Sequence, residues 1–208
     1  MNFNELVFVD LETSGLDPEQ HDIIQIAAID VMSGDQFNAL LNFKVCNASE
    51  EALKVNHYDP ERWDKEAIPQ RKGYVEFMKF LADHAKQTRK NYRTGEEYNI
   101  AVLAGHNLEA FDMCFLKAWE VIMKQRGSSR LPMDYACYDT LQLARWLLPN
   151  KIERYTLDSL VSYFGIELER KSHDAFNDVQ ANIQVAARLI DLLPGKNPQW
   201  VSHILAPF

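Results

Sequence analysis

The sequence predicts an α/β layered domain, a mixed β-sheet flanked by helices. Three observations predict it. Short continuous apolar runs rich in β-formers open the chain and recur in its middle. Stretches with a 3.6-residue apolar period lie between them and fill the C-terminal third. The length, 208 residues, is one domain's worth or one domain with insertions. Apolar residues at 47% and charged residues at 25% are ordinary globular usage and exclude wholesale disorder.

Each element has its own signal. Residues 6–9, Leu-Val-Phe-Val, read as a strand buried on both faces. A turn-like stretch follows at 13–18, with Gly15 and Pro18. Residues 23–31 make a second apolar run, ended by Ser33-Gly34-Asp35, and 37–45 a third. Their short connections predict an antiparallel meander. Tyr74, Phe77, Met78, Leu81 and Ala85 follow the helical period, and the polar stretch 86–99 reads as an exposed loop. Residues 100–104 form another buried strand. Phe111, Phe115, Ala118, Trp119 and Ile122 form a helical stripe, 125–130 a loop, and 135–138 a last short strand.

Asp139 opens the next helix, with Gln142 three residues on as in a capping box, and Pro149 closes it. Residues 156–164 form a helix stopped by Gly165. Val179, Ile183, Ala186, Ala187, Ile190 and Leu193 share one face of the final long helix, which Pro194-Gly195 ends. No internal repeat is present. The expected organisation is one domain over 1–193 and a tail over 194–208. The tail carries Trp200, Ile204, Leu205 and Phe208, which either pack back on the domain or dock on a partner.

The formal net charge is −8. Such a chain does not attract phosphate passively, so any handling of nucleic acid must be local, through bound cations or small basic patches. Cys46, Cys114 and Cys137 include no close pair, which argues against a disulfide framework and a zinc cluster. They read as buried free thiols in a reducing compartment. The start lacks a basic segment followed by a long apolar core, and no run is long enough to span a bilayer. The expectation is a cytoplasmic protein without a membrane partner.

Three acidic clusters carry chemistry. Asp10-Leu11-Glu12 sits where the first strand ends, and side chains two apart on a strand share a face. Taken alone, the pair reads more simply as two acids at a solvated strand end. Asp112 follows Phe111 as a strand gives way to a helix; it is either an inward-facing carboxylate or an acid complementing the helix dipole. His173 and Asp178 open the last helix, where a capping histidine and a dipole acid are the plain alternatives. Should these ends converge, four carboxylates surround one point, which is severely unfavourable unless a cation or a proton intervenes. Oxygen-only ligands suit Mg²⁺ or Mn²⁺; zinc would want more His or Cys.

The ordered set Asp10-Leu11-Glu12-Thr13-Ser14-Gly15-Leu16, Asn107-x-x-x-Phe111-Asp112 and His173-x-Ala175-x-x-Asp178 resembles the three motifs of the DEDDh branch of the DnaQ-like 3′–5′ exonucleases. The extension through residues 23–29 and Tyr155-Thr156-Leu157-x-x-Leu160 are similar to that family too, and the likeness spans residues 5–192. It implies an RNase H-like fold with a five-stranded mixed sheet flanked by helices. It implies two divalent cations, Mg²⁺ or Mn²⁺. Asp10, Glu12 and Asp178 would hold one, Asp10 would touch the other, and Asp112 would complete the site. His173 would be the general base, a role suited by the ordinary pKa of imidazole. Thr13, Ser14, Gly15 and Leu16 would cradle the terminal nucleotide, with Leu16 against the last base, and Asn107 and Phe111 would hold the 3′ end.

The activity implied is metal-dependent 3′–5′ hydrolysis of single-stranded DNA to nucleoside 5′-monophosphates. An exoribonuclease trimming RNA ends or short oligonucleotides, and a proofreading subunit docking on a polymerase, are the alternatives. A homodimer and a defence-system partner are also left open. Residues 86–99, 124–130 and 151–154 are basic; each reads first as a solvated loop, and together as a nucleic-acid track feeding an acidic pocket, with Tyr92 and Tyr98 as stacking candidates. Asp139 reads as a helix cap. His21, His57, His84, His106 and His203 read as surface or structural.

Overall fold

The computed structural model describes residues 3–167 and 173–193. The tail residues and His203 lie outside this set. Strand β1 (Leu6–Thr13) is the spine. It pairs antiparallel with β2 (Ile23–Asp30), which pairs antiparallel with β3 (Gln36–Leu40). On its other side β1 pairs parallel with β6 (Val102–Gly105), and β6 with β7 (Tyr138–Asp139). The sheet is thus five-stranded and mixed, in the order β3-β2-β1-β6-β7.

Strand alternation sorts the side chains between two layers. Val7, Val9 and Leu11 face one core with Phe77 and Leu81 of α3 (Gln70–Asp83) and Phe115, Leu116 and Trp119 of α4 (Asp112–Gln125). Leu6 and Phe8 face the other core, made with Val179, Ile183 and Ala186 of α7 (Ala175–Asp191). Asp10 and Glu12 continue the parity of Leu6 and Phe8, so they point towards α7. Helices α5 (Thr140–Leu147) and α6 (Leu157–Tyr163) pack on α7 through Ala144, Leu160, Val185 and Leu189.

Several expectations change. The first strand runs on to Thr13, so Asp10 and Glu12 lie within a paired strand; Glu12 is 7% exposed and not at a solvated end. The third strand stops at Leu40; Leu41 N still donates to Ile24 O of β2 (2.8 Å), and Leu41 also bridges Ile68. The last strand shrinks to Tyr138–Asp139. Phe111 is the N-cap of α4 and not a member of the helix.

The expected loop at 86–99 is instead a hairpin, β4 (Gln87–Lys90) with β5 (Glu97–Ile100). Its turn is set by the Asn91 side chain, which accepts from Arg93 N and Thr94 N, and by Gly95 at φ +75°. Most of the hairpin is exposed, so no apolar alternation marks it. Two short helices, α1 (Glu50–Val55) and α2 (Pro60–Glu66), are too short to register as periodicity. The cysteines are not buried: Cys46 and Cys114 are exposed and Cys137 is half-buried. Cys114 lies one residue off the α4 stripe, about 100° from Met113, and so faces out.

Asp30, at the end of β2, is fully buried, and Lys86 donates to it from the start of the hairpin while Ser33 N and Oγ donate to its other oxygen. Removing Lys86 strands that charge among protein atoms. Lys86→Met is expected to destabilise by about 3 kcal/mol, the lower end for breaking a buried pair, because Ser33 still donates. Urea denaturation checks this; a loss under roughly 0.5 kcal/mol, the usual size at a plain surface site, would show that solvent reaches Asp30.

Candidate active site

The parity of β1 brings Asp10 and Glu12 to the start of α7. Asp174 caps that helix, accepting from Asn177 N, and Asp178 lies buried in its first turn. His173 precedes the cap with φ +61°, a left-handed conformation uncommon for a non-glycine residue. That backbone turn is held by a hydrogen bond from His173 N to Asp178 Oδ2 (3.0 Å). The outcome is a set of donors from two distant stretches. One ligand atom each from Glu12, His173 and Asp178 lies within 4.8 Å of the others.

Asp112 arrives from the opposite layer. β6 pairs with β1 only as far as Phe8, so the backbone of β1 beyond it is free for other partners. Asp112 Oδ1 accepts from Leu11 N (3.0 Å), which fixes the N-terminus of α4 beside the two acids of β1. Asp112 faces inward, 4% exposed, and as the first-turn acid of α4 it also complements the helix dipole.

This crowding shows in the proton affinities. Burial first, then the charges of Asp112, Glu12, Asp178 and Asp174, hold Asp10 well above the usual carboxylate range. Burial first, then Asp178, Asp112 and Asp174, push Glu12 up to about 8. Burial raises Asp112 to about 8 against the lowering by backbone amides, Leu11 N included. The four acids therefore meet, and their environment disfavours charge on each other.

The loop after β1 is braced from all sides. Ser14 exchanges hydrogen bonds with Asp22 through its amide and hydroxyl (2.9 Å each), and its carbonyl accepts from Ser49 N (2.8 Å). Thr13 Oγ1 donates to Gly15 O, and Asn56 Nδ2 donates to Thr13 O (2.8 Å). A Cβ at Gly15 would stand 2.2 Å from the His21 ring, so that close approach requires glycine. Leu16 projects from this loop, 80% exposed. Asn107, with φ +59°, and Phe111 form the turn into α4: Phe111 N donates to Asn107 O (3.1 Å).

Sequence similarity is found where this geometry suggests it. The profile of the Exonuclease family, RNase T, matches residues 7–186. The chain belongs to that family. It is 30% identical over 200 residues to the DNA polymerase III PolC-type of Thermotoga maritima, covering 92% of this chain and 12% of that protein. It is 29% identical over 198 residues to DNA polymerase III subunit epsilon of Rickettsia typhi, covering 88% and 72%. Its fold resembles E. coli Exonuclease I in complex with a dA16 oligonucleotide, with TM-score 0.63 and 18% identity over 95% of this chain and 42% of that one. The chain thus spans about one-eighth of the PolC-type relative.

The residues present fit a divalent cation. Carboxylate oxygens dominate the donor set, among the described residues no lysine or arginine is one of the groups that shift Asp10 or Glu12, and the crowding raises the proton affinity of both. Two supporting groups escaped the sequence reading. Gln25 donates to Asp174 Oδ2 and accepts from Ala175 N, tying β2 to the start of α7; its signal was a lone amide in an apolar strand. Asp139, expected as a cap, does accept from Leu141 N, and it also accepts from Asn107 N and Glu109 N. His106 is structural as expected, bonded to Thr140 Oγ1 and Tyr155 O.

A pH dependence follows. Carboxyls whose folded pKa is raised stabilise the fold in their protonated form, and that contribution is lost as pH rises from the ordinary carboxyl range through about 8. In EDTA the chain is expected to lose thermal stability steadily from pH 5 to pH 8.5. Mg²⁺ or Mn²⁺ should restore it most at the alkaline end, and Glu12→Gln should flatten the slope. Melting scans at several pH values check this; a flat metal-free profile would show the acids are not coupled.

Proposed function

We propose that the chain, through a domain over residues 1–193, is a 3′–5′ exonuclease that hydrolyses single-stranded DNA to nucleoside 5′-monophosphates. The observation that carries the reading is the meeting of Glu12, His173 and Asp178, one ligand atom each within 4.8 Å, beside Asp10 on the same face of β1 and Asp112 bonded to Leu11 N. Asp10, Glu12, Asp112 and Asp178 would hold two divalent cations, Mg²⁺ or Mn²⁺, which when bound act as Lewis acids on the phosphoryl group and offset the charge gathering there.

The protein's own groups do the rest. His173, exposed and set by its left-handed backbone, takes the proton from the attacking water. Burial of Glu12, Asp112 and Asp178, and the place of Asp10 in the paired strand β1, hold the carboxylates in position before the phosphate arrives. Exposed Leu16 lies against the terminal base, and the main chain of Thr13, Ser14 and Gly15 lines its sugar. Asn107 and Phe111 hold the 3′ end. Leu16 and Phe111 offer only apolar faces, which fits cleavage without sequence preference. The names of the DNA polymerase III relatives, PolC-type and epsilon, support DNA as the substrate and a polymerase as protein partner.

A 5′-labelled oligonucleotide, as matched DNA and RNA, tests the proposal. The expected product is a ladder shortening from the 3′ end, faster on DNA, dependent on Mg²⁺ or Mn²⁺ and abolished by EDTA. Asp178→Asn should abolish turnover, and His173→Ala should slow it roughly 10²–10⁴-fold, the usual scale for loss of a general base. A single internal cut, or undiminished activity in Asp178→Asn, would defeat this reading.

A further inference from the structure

The basic segments 86–99 and 124–130 lie far from the carboxylates in sequence, and the fold decides whether they belong to the same surface. β1 and β6 run parallel towards the acidic pocket, so the hairpin that precedes β6 stands at the opposite end of the sheet. Leu6 and Glu12 are six residues apart, about 20 Å along the strand. Two elements span that distance. α4 descends from Asp112 at the pocket, and residues 131–138 ascend from the bridge between Met133 and Ala101 to β7.

Cationic groups mark the seam between these two elements. Lys117, exposed on α4, is six residues from Phe111, about 9 Å along the helix axis. Its Nζ lies 5.3 Å from the centroid of the Tyr135 ring. The Arg130 guanidinium lies 4.5 Å from the same centroid. Arg130 then lines a cleft of about 410 Å³ together with Arg89 and Tyr98 of the hairpin. Two acids of the seam are engaged with its arginines. Glu120 is buried, accepts from Leu131 N and the Tyr135 hydroxyl, and lies 3.9 Å from Arg130; Asp134 is bonded to Arg89 (2.9 Å). Glu109 is exposed near the turn into α4. Each guanidinium has five N–H donors and keeps some of them for a phosphate, so among the described residues Lys117, Arg130 and Arg89 follow one another along the seam with Tyr135 and Tyr98.

We infer that this seam is the track for the 5′ portion of a single strand: its phosphates lie on Lys117, Arg130 and Arg89, and a base stacks on Tyr98 in the hairpin cleft. The inference rests on the exonuclease reading for the position of the 3′ end. The chemistry is that of single-strand binders, in which cations follow the backbone and aromatic rings take bases without reading them. About 20 Å is roughly six nucleotides at the stacked spacing of 3.4 Å, and fewer when the strand is extended. The hairpin thus gives an acidic protein a local means of holding a polyanion.

Fluorescence anisotropy of 5′-labelled dT10 and dT3 on the full chain, in EDTA and across a salt series, tests it. The R89A/K117A/R130A variant should bind dT10 at least tenfold more weakly. Its plot of log affinity against log salt should be shallower by about 2, since each single-strand phosphate contact adds about 0.7. The advantage of dT10 over dT3 should vanish. A control of equal charge, K65A/K79A/R188A, should keep the slope. Lys117→Glu alone, at an exposed helix position, should weaken dT10 binding at least fivefold and serves if the triple variant unfolds. An unchanged slope in R89A/K117A/R130A, or unchanged affinity in Lys117→Glu, overturns the track while leaving the nuclease reading intact. Failure of the wild-type chain to cleave any oligomer, with these binding effects present, overturns the nuclease reading and leaves the track.

Discussion

Four crowded carboxylates, three of them buried and Asp10 half-buried, are the constraint around which this molecule is organised. Each would be cheaper to keep charged in water, and the raised proton affinities of Asp10, Glu12 and Asp112 measure that cost. Such an arrangement persists because the rest of the fold outweighs it. The β1 ladder, the apolar face of α7 and the bond from Leu11 N to Asp112 are all made whether or not the acids are neutralised. The position of the acids is thus set by contacts of the fold itself, the condition that electrostatic preorganisation requires.

The supports of the pocket share a design. Backbone amides anchor three of the acids. Asp112 takes the amide of Leu11, Asp178 takes that of His173, and Asp139 takes the amides of Asn107 and Glu109 at the turn into α4 and that of Leu141 in α5. Neutral partners orient a carboxylate without satisfying its charge. Two residues of the site, Asn107 and His173, adopt left-handed backbone conformations. Strain of this kind is held only where the surroundings over-determine it, and here hydrogen bonds to Asp139 and Asp178 do so.

The charges of this acidic chain are sorted by place. On the proposed reading the pocket would meet phosphate through divalent cations, and the strand leading to it would meet positive side chains. The fold keeps these apart by placing the acids at one end of the sheet and the basic hairpin at the other, with Lys117, Arg130 and Tyr135 between them. Net charge therefore says little about the partner of this protein; the distribution of charge along one seam says more.

Much of this was legible in the residues alone. The buried run at residues 6–9, the period-two placement of Asp10 and Glu12, the helical stripes and the N-cap at Asp139 all follow from local sterics and patterning, which act over a few residues and leave their mark in composition. The three acidic clusters were readable one by one, but each had a plain alternative, since a carboxylate at a strand end or in a first helical turn is ordinary. Only the tertiary structure decided that they meet, because parity of β1, the register of β6 and the packing of α7 are long-range choices. The same holds for the hairpin at 87–100, whose exposed strands carry no apolar signature, for Gln25, whose partners are 150 residues away, and for the three exposed or half-exposed cysteines. Local order is written in neighbouring residues; the meeting of distant charges is set by which faces the core must bury.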